Sequence, residues 1–167
     1  MTPSEKLYSA LKKGGLNFYV SVPCKLLEGI ITLLEKDTEV TYTPVTREEE
    51  GLGIAAGAFL AGKRPAILMQ NSGLGNCINA ICSLLNYYRL PIVFIISHRG
   101  TSGEKIEAQK PMGDVTKALL ERVNVQWYEI SDLEDIHLIK NCIEKACLQQ
   151  RSVAFLFPFS FWKGSNK

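Results

Sequence analysis

Apolar residues along this chain fall into two alternating kinds of segment. Compact runs rich in Val, Ile, Phe and Tyr occupy residues 18–22 (FYVSV), 40–44 (VTYTP), 66–70 (AILMQ), 92–97 (IVFIIS), 126–130 (QWYEI) and 153–157 (VAFLF). Their length and composition predict strands. Between them, apolar positions recur at helical spacing and predict helices over residues 4–13, 25–35, 47–61, 76–88, 114–121 and 133–149, with Gly14 and Gly15 placed to end the first. Strand and helix in alternation predict βαβ units and an α/β fold, a parallel sheet covered on both faces. Residues 98–113 (HRGTSGEKIEAQKPMG) follow neither period. A connection of that length inside a compact domain is usually functional or mobile. It leaves the carboxyl end of the fourth strand, the edge at which open α/β sheets bind ligands.

Composition narrows the picture. The 167 residues suit one domain, 1–167. A hydrophobic fraction of 46% beside 22% charged residues describes a globular chain, and no apolar run approaches the ~18 residues of a membrane span. The first residues carry no apolar secretory core, so a cytoplasmic location is expected and no membrane partner. The net charge of +2 is spread without a basic block, which argues against nucleic acid. Five cysteines with no CxxC pair, and only two histidines, read as reduced core residues without a metal site.

Two stretches stand apart. In PVTREEEGLGIAAGAFLAGK (Pro44–Lys63), three consecutive glutamates precede a helix built largely of Gly and Ala. Thr46 and Glu49 have capping-box spacing, and acidic groups suit the positive end of the helix dipole, which accounts for one or two of the three. Glycine inside a helix costs about 1 kcal/mol relative to alanine, so Gly51, Gly53 and Gly57 ask for something that approaches closely. In LMQNSGLGNCINAICSLLNYY, a buried-type strand runs through Asn71-Ser72-Gly73-Leu74-Gly75-Asn76 into a helix. That is a ligand-facing arrangement, and equally an ordinary turn with glycine at positive φ.

Together the two stretches resemble the pyrimidine-binding domains of thiamine-diphosphate-dependent 2-oxoacid decarboxylases. In that family a glutamate opens a small-residue helix and a glycine follows nine positions on, the spacing of Glu48 and Gly57. QNSGLGN (Gln70–Asn76) is similar to the turn beside the aminopyrimidine ring in family members acting on phosphonopyruvate and sulfopyruvate. SVPC (21–24), PVTREEEG (44–51), ISHRG (96–100) and AQKPMG (108–113) resemble the sulfopyruvate-specific members in order and across nearly the whole chain.

The resemblance implies a six-stranded parallel sheet in the order 2-1-3-4-6-5. It implies that Glu48 is the catalytic acid at the cofactor's pyrimidine N1′, and that Asn71, Ser72, Gly73, Leu74, Gly75 and Asn76 bind the cofactor. It implies decarboxylation of 3-sulfopyruvate to sulfoacetaldehyde and CO2, a step of coenzyme M biosynthesis. Phosphonopyruvate, a carboligase reaction, and a noncatalytic regulatory or binding domain are the alternatives. The family holds Mg²⁺ and the diphosphate through a GDG motif, which this sequence lacks; Met112-Gly113-Asp114-Val115 lacks the second glycine. The resemblance therefore implies a beta chain carrying that motif, with two alpha and two beta chains at least. For the anionic substrate the candidates are His98, Arg99, Gln109 and Lys110, with Arg99 and Lys110 equally readable as solvated loop charges.

Overall fold

A computed structural model describes residues 1–163 of the chain. Helix α1 (Pro3–Lys13) leads into strand β1 (Phe18–Ser21), then α2 (Glu28–Lys36), β2 (Thr41–Pro44), α3 (Glu48–Leu60) and β3 (Pro65–Gln70). A segmented helix follows: α4 (Asn71–Leu74), a 3₁₀ turn (Gly75–Cys77), α5 (Ile78–Ala80) and a π-helical stretch (Ile81–Asn86). Strand β4 (Val93–His98), α6 (Lys110–Arg122), β5 (Gln126–Glu129), α7 (Leu138–Gln149), β6 (Val153–Pro158) and α8 (Phe159–Lys163) complete the fold.

The six strands form one sheet in the order β2-β1-β3-β4-β6-β5, every pairing parallel. Period-two alternation divides the core. Tyr19, Leu68, Val93, Ile95, Phe155 and Phe157 face α1, α2 and α7, while Val20, Ile67, Met69, Phe94, Ile96 and Leu156 face α3, α5 and α6. Central strands β3, β4 and β6 are buried along nearly their whole length, as strands covered on both faces must be.

Several local expectations are corrected. The capping box forms at α1, where the Thr2 hydroxyl accepts from the Glu5 N–H and the Glu5 carboxylate accepts from the Thr2 N–H. It does not form at α3, whose N-cap is Arg47; there the Thr46 hydroxyl donates to Glu50, 3.3 Å away. The segment after β3 is not a glycine turn. The helix begins at Asn71, and Gly75 has φ −58°, so the glycines there are not spent on a left-handed bend. The aperiodic stretch after β4 is shorter than its sequence implies, because α6 starts at Lys110 with Pro111 in its first turn, where a missing N–H costs nothing. Of the cysteines, Cys77 is buried and Cys82 exposed, and all five are free thiols.

Candidate active site

The strand order reverses between β1 and β3, and the crevice outside the carboxyl ends of strands at such a switch point is where open α/β sheets bind ligands. Three segments meet there: the residues after β1, the start of α3 after β2, and the start of α4 after β3.

Helix α3 is held against the sheet by Gly51, where an added Cβ would lie 2.9 Å from Ile67 and 3.1 Å from Val20. That close seating sets the three glutamates at the carboxyl edge. Glu49 takes a hydrogen bond of 2.6 Å from Arg47 on Oε1, its Oε2 being buried without a partner, and Glu50 takes one from Thr46. Glu48 has no hydrogen-bond or ion-pair partner among the described residues. Its carboxylate instead lies against Gly73, where any Cβ would occupy the same space as the carboxyl group. Gly73 is thus glycine because a carboxylate occupies its side-chain space. Cys77 lies beneath, its thiol pushed up to about 12 by burial and then by the charges of Glu48 and Glu49.

Along the outer side of α3 and at the turn after α4 the surface is bare. At Gly53, Gly57 and Gly75 an added Cβ would meet nothing within 4 Å. Gly53 and Gly57 lie on the exposed side of α3, and Gly75 is exposed beside Asn76. The small residues of α3 therefore divide into Gly51, which meets the sheet, and two that open a shallow outer surface.

The candidates from the segment after β3 separate by environment. Asn71 is fully buried with its amide committed: Nδ2 donates to the Arg99 carbonyl at 3.1 Å and to the Thr116 hydroxyl at 2.9 Å, and Oδ1 accepts from the Arg99 N–H at 3.0 Å. It ties β3 to the end of β4 and has nothing left to offer a ligand. Leu74 is a core side chain. Ser72, Gly75 and Asn76 face outward.

The cationic candidates after β4 are equally sorted. Arg99 is bidentate on Glu104, at 2.5 and 2.8 Å, and its guanidinium also lies 5.6 Å from the Phe159 ring. The pair holds Glu104 down to about 2, through the Arg99 hydrogen bonds against the opposing effect of burial. Lys110 pairs with Glu107 at 2.7 Å. His98 is buried under α6, its Nε2 3.1 Å from the Gly113 carbonyl and its Nδ1 without a hydrogen bond. Burial lowers its pKa, so the ring is neutral, donating through Nε2. Neither Arg99 nor His98 presents an unoccupied charge to the edge, whereas the Lys110 pair is solvent-exposed. The strap itself is closed: Gly100 (φ +81°) and Gly113 meet backbone to backbone, a Cβ on Gly113 falling 2.7 Å from the Arg99 carbonyl.

Gln109 does reach the edge. Gln70, the last residue of β3, donates from Nε2 to the Gln109 carbonyl oxygen at 2.9 Å and to the Ser72 hydroxyl at 2.8 Å. Cys24, after β1, lies 3.3 Å from the Ser97 hydroxyl and 3.9 Å from Gln70 Oε1. Gln70, Cys24 and Ser97 lie inside the stretches QNSGLGN, SVPC and ISHRG, but none of them receives a role of its own from the sequence. The available signal was a polar residue ending an apolar strand, at Gln70 and at Ser97.

The family model for the thiamine pyrophosphate enzyme N-terminal TPP binding domain matches residues 1–119. Sulfopyruvate decarboxylase subunit alpha of Methanococcus maripaludis is 45% identical, covering 98% of this chain and 98% of that protein. A sulfopyruvate decarboxylase of Methanosarcina acetivorans is 33% identical over 99% of this chain, which spans 42% of it. A phosphonopyruvate decarboxylase of Streptomyces viridochromogenes is 38% identical over 81% of this chain and 34% of its own length. Among solved structures, benzoylformate decarboxylase from Polynucleobacter necessarius superposes with a TM-score of 0.65 at 20% identity, over 96% of this chain and 30% of that one. A 2-oxoglutarate:ferredoxin oxidoreductase from Magnetococcus marinus gives a TM-score of 0.69 at 15% identity, over 96% of this chain and 29% of that one, a likeness of fold. With the sheet order, the switch-point crevice and the family model agreeing, the chain belongs to the thiamine pyrophosphate enzyme N-terminal TPP binding domain family.

Proposed function

We propose that this chain is the alpha subunit of a thiamine-diphosphate-dependent carboxy-lyase that converts 3-sulfopyruvate to sulfoacetaldehyde and CO2, in coenzyme M biosynthesis. The full-length relative at 45% identity supports the substrate. The observation that carries the chemistry is Glu48: a carboxylate placed at the switch-point edge, given room by Gly73 and left without a protein partner.

The residues present fit an aminopyrimidine ring. Glu48 offers a carboxyl group to hold or share a proton at the pyrimidine N1′, the bare positions at Gly53, Gly57 and Gly75 give a flat ring access, and Ser72 and Asn76 supply polar groups beside it. When bound, thiamine diphosphate supplies the electron sink that permits loss of CO2 from a 2-oxoacid. What this chain contributes is the positioned acid and the walls.

The diphosphate and Mg²⁺ are assigned to a beta subunit bearing the GDG motif absent here. The relative of which this chain spans 42% has length enough for such a second part within one polypeptide. On this reading residues 1–167 are a single pyrimidine-binding domain, the cofactor lies across the subunit interface, and the smallest active unit is two alpha and two beta chains in the cytoplasm. Calorimetry of thiamine diphosphate with Mg²⁺ tests it. The isolated chain should bind poorly and turn over no sulfopyruvate, and both activities should appear with the beta subunit. Tight binding and full turnover by the chain alone would overturn the shared site. Phosphonopyruvate is the second reading, supported by the relative at 38% identity, and a higher kcat/KM for that acid would establish it. Undiminished activity of a Glu48→Gln complex would favour the noncatalytic alternative.

A further inference from the structure

Across the ends of β3 and β4 lie two paired amides, Gln70 and Gln109, that the cofactor reading does not use. We infer that the Gln109 amide, held in place by Gln70, is this chain's contact for the substrate's second anionic group, and that its neutral donors select a sulfonate over a phosphonate. The inference rests on the functional reading above.

The pair leaves one end of the Gln109 amide without a partner among the described residues. Gln70 points its oxygen toward the Cys24 thiol and its NH2 toward two oxygens, Ser72 Oγ and Gln109 Oε1. Gln109 therefore has its carbonyl oxygen occupied, and its NH2 group is turned away from Gln70 with no partner among the described residues. Two N–H donors are left on a half-buried side chain at the carboxyl edge. The backbone beneath is fixed: Gln109 is the N-cap of α6, its own N–H donates to the Ile106 carbonyl at 3.0 Å, and its carbonyl is in close contact with Gly100. Ser97, fully buried, buttresses Cys24 from below. An amide that the fold orients but leaves with idle donors is a preformed acceptor-binding group.

Charge gives the selectivity. Of the cations flanking Gln109, Arg99 is committed to the buried Glu104, while Lys110 shares a solvent-exposed pair with Glu107, so the donors that Gln109 itself presents are neutral. A sulfonate is a monoanion whose charge is shared by three weakly basic oxygens, and neutral amide donors suffice for it. A phosphonate resembles a phosphate monoester, whose second proton leaves near pH 6, so at neutral pH it approaches a dianion. Removing a dianion from water calls for a cation.

The test is steady-state kinetics of the reconstituted alpha–beta complex with sulfopyruvate and phosphonopyruvate in parallel. The wild type should prefer sulfopyruvate. Gln109→Ala should lower kcat/KM for sulfopyruvate by about 10–100-fold, mostly through KM, the range for a lost hydrogen bond to a charged group. Gln109→Lys should shift the ratio of the two acids toward phosphonopyruvate by about tenfold or more. Gln70→Leu, which removes a positioning residue, should move the same ratio less, leaving kcat nearly unchanged while KM rises. Gln109→Asn, which keeps an amide but withdraws it by one methylene, repeats the measurement should the alanine variant fail to assemble. An unchanged ratio in the Gln109 variants of an active complex overturns this assignment and leaves the function standing. A wild-type complex that decarboxylates neither acid overturns both.

Discussion

Glu48 and Glu104 are carboxylates serving the same edge of one sheet, and they have opposite fates. The Glu104 side chain is 1% exposed and collects two bonds from the Arg99 guanidinium together with the N–H groups of Gly100, Lys105 and Ile106. Glu48 collects none and rests on a glycine. A carboxylate whose acceptor capacity is filled by the fold holds structure together and has nothing to offer a ligand. One that the fold positions and leaves unsatisfied is kept for something else. The same contrast separates Asn71, whose amide is consumed by Arg99 and Thr116, from Gln109, whose NH2 is idle.

The largest test of that contrast is in the rate. Glu48→Gln should lower kcat of the alpha–beta complex by about 10²–10⁴-fold, the range for a lost acid–base group, while Glu49→Gln and Glu50→Gln, whose partners are Arg47 and Thr46, change it little. Equal losses at all three positions would erase the distinction.

Glu104→Gln should act on stability instead, because it leaves the half-buried Arg99 without a counter-charge. A loss of about 1–3 kcal/mol is expected from urea unfolding. The folded carboxyl, at about 2, lies below the ordinary unfolded value near 4.3. The pair's contribution is therefore complete above about pH 4.3 and is lost as pH falls through about 2, so the gap between wild type and variant should narrow across that window.

Gly73→Ala sharpens the comparison from the other side. The new methyl displaces the Glu48 carboxyl, which has room to swing toward solvent, so thermal stability should hardly change. Activity should fall by about 10²-fold, the cost of a misplacement near 1 Å. Loss of folding in step with activity would mean that Glu48 is packed as rigidly as Glu104.

The smallest effect belongs to His98. Its pKa is lowered by burial, so the unfolded chain takes up a proton below about pH 6.5 that the folded chain refuses. Stability should be complete above that pH and decline below it, by at most about 1.4 kcal/mol per pH unit. His98→Asn should flatten that part of the profile. The other groups facing His98 are Glu129, 3.9 Å from Nδ1, and Lys117, which is paired with Glu129 at 2.7 Å.

Most of the architecture was legible in the chain. All six strands lie within one residue of their expected bounds at either end, because each is a short apolar run whose burial on one or both faces of the sheet leaves little choice of conformation. Helix starts were less legible. At Asn71 and Lys110 the chain enters a helix through glycine or proline, residues that usually mark its absence, and tertiary contacts override the local preference.

What the sequence determined by itself is which kinds of group are available: three glutamates in one helical turn, a glycine-bearing segment after a buried strand, and His98, Arg99, Gln109 and Lys110 after another. The family pattern added that Glu48 was the glutamate to watch. Only the tertiary structure decided which of these groups are spent. Arg99 and Glu104 are five residues apart and could each have faced water, and Gln70 and Gln109 are 39 residues apart with nothing local to pair them. Whether a polar side chain is satisfied depends on partners brought in from distant parts of the chain. A desolvated group must find such a partner or incur a cost of about 1–3 kcal/mol, so the fold consumes those it buries and leaves the remainder at the edge.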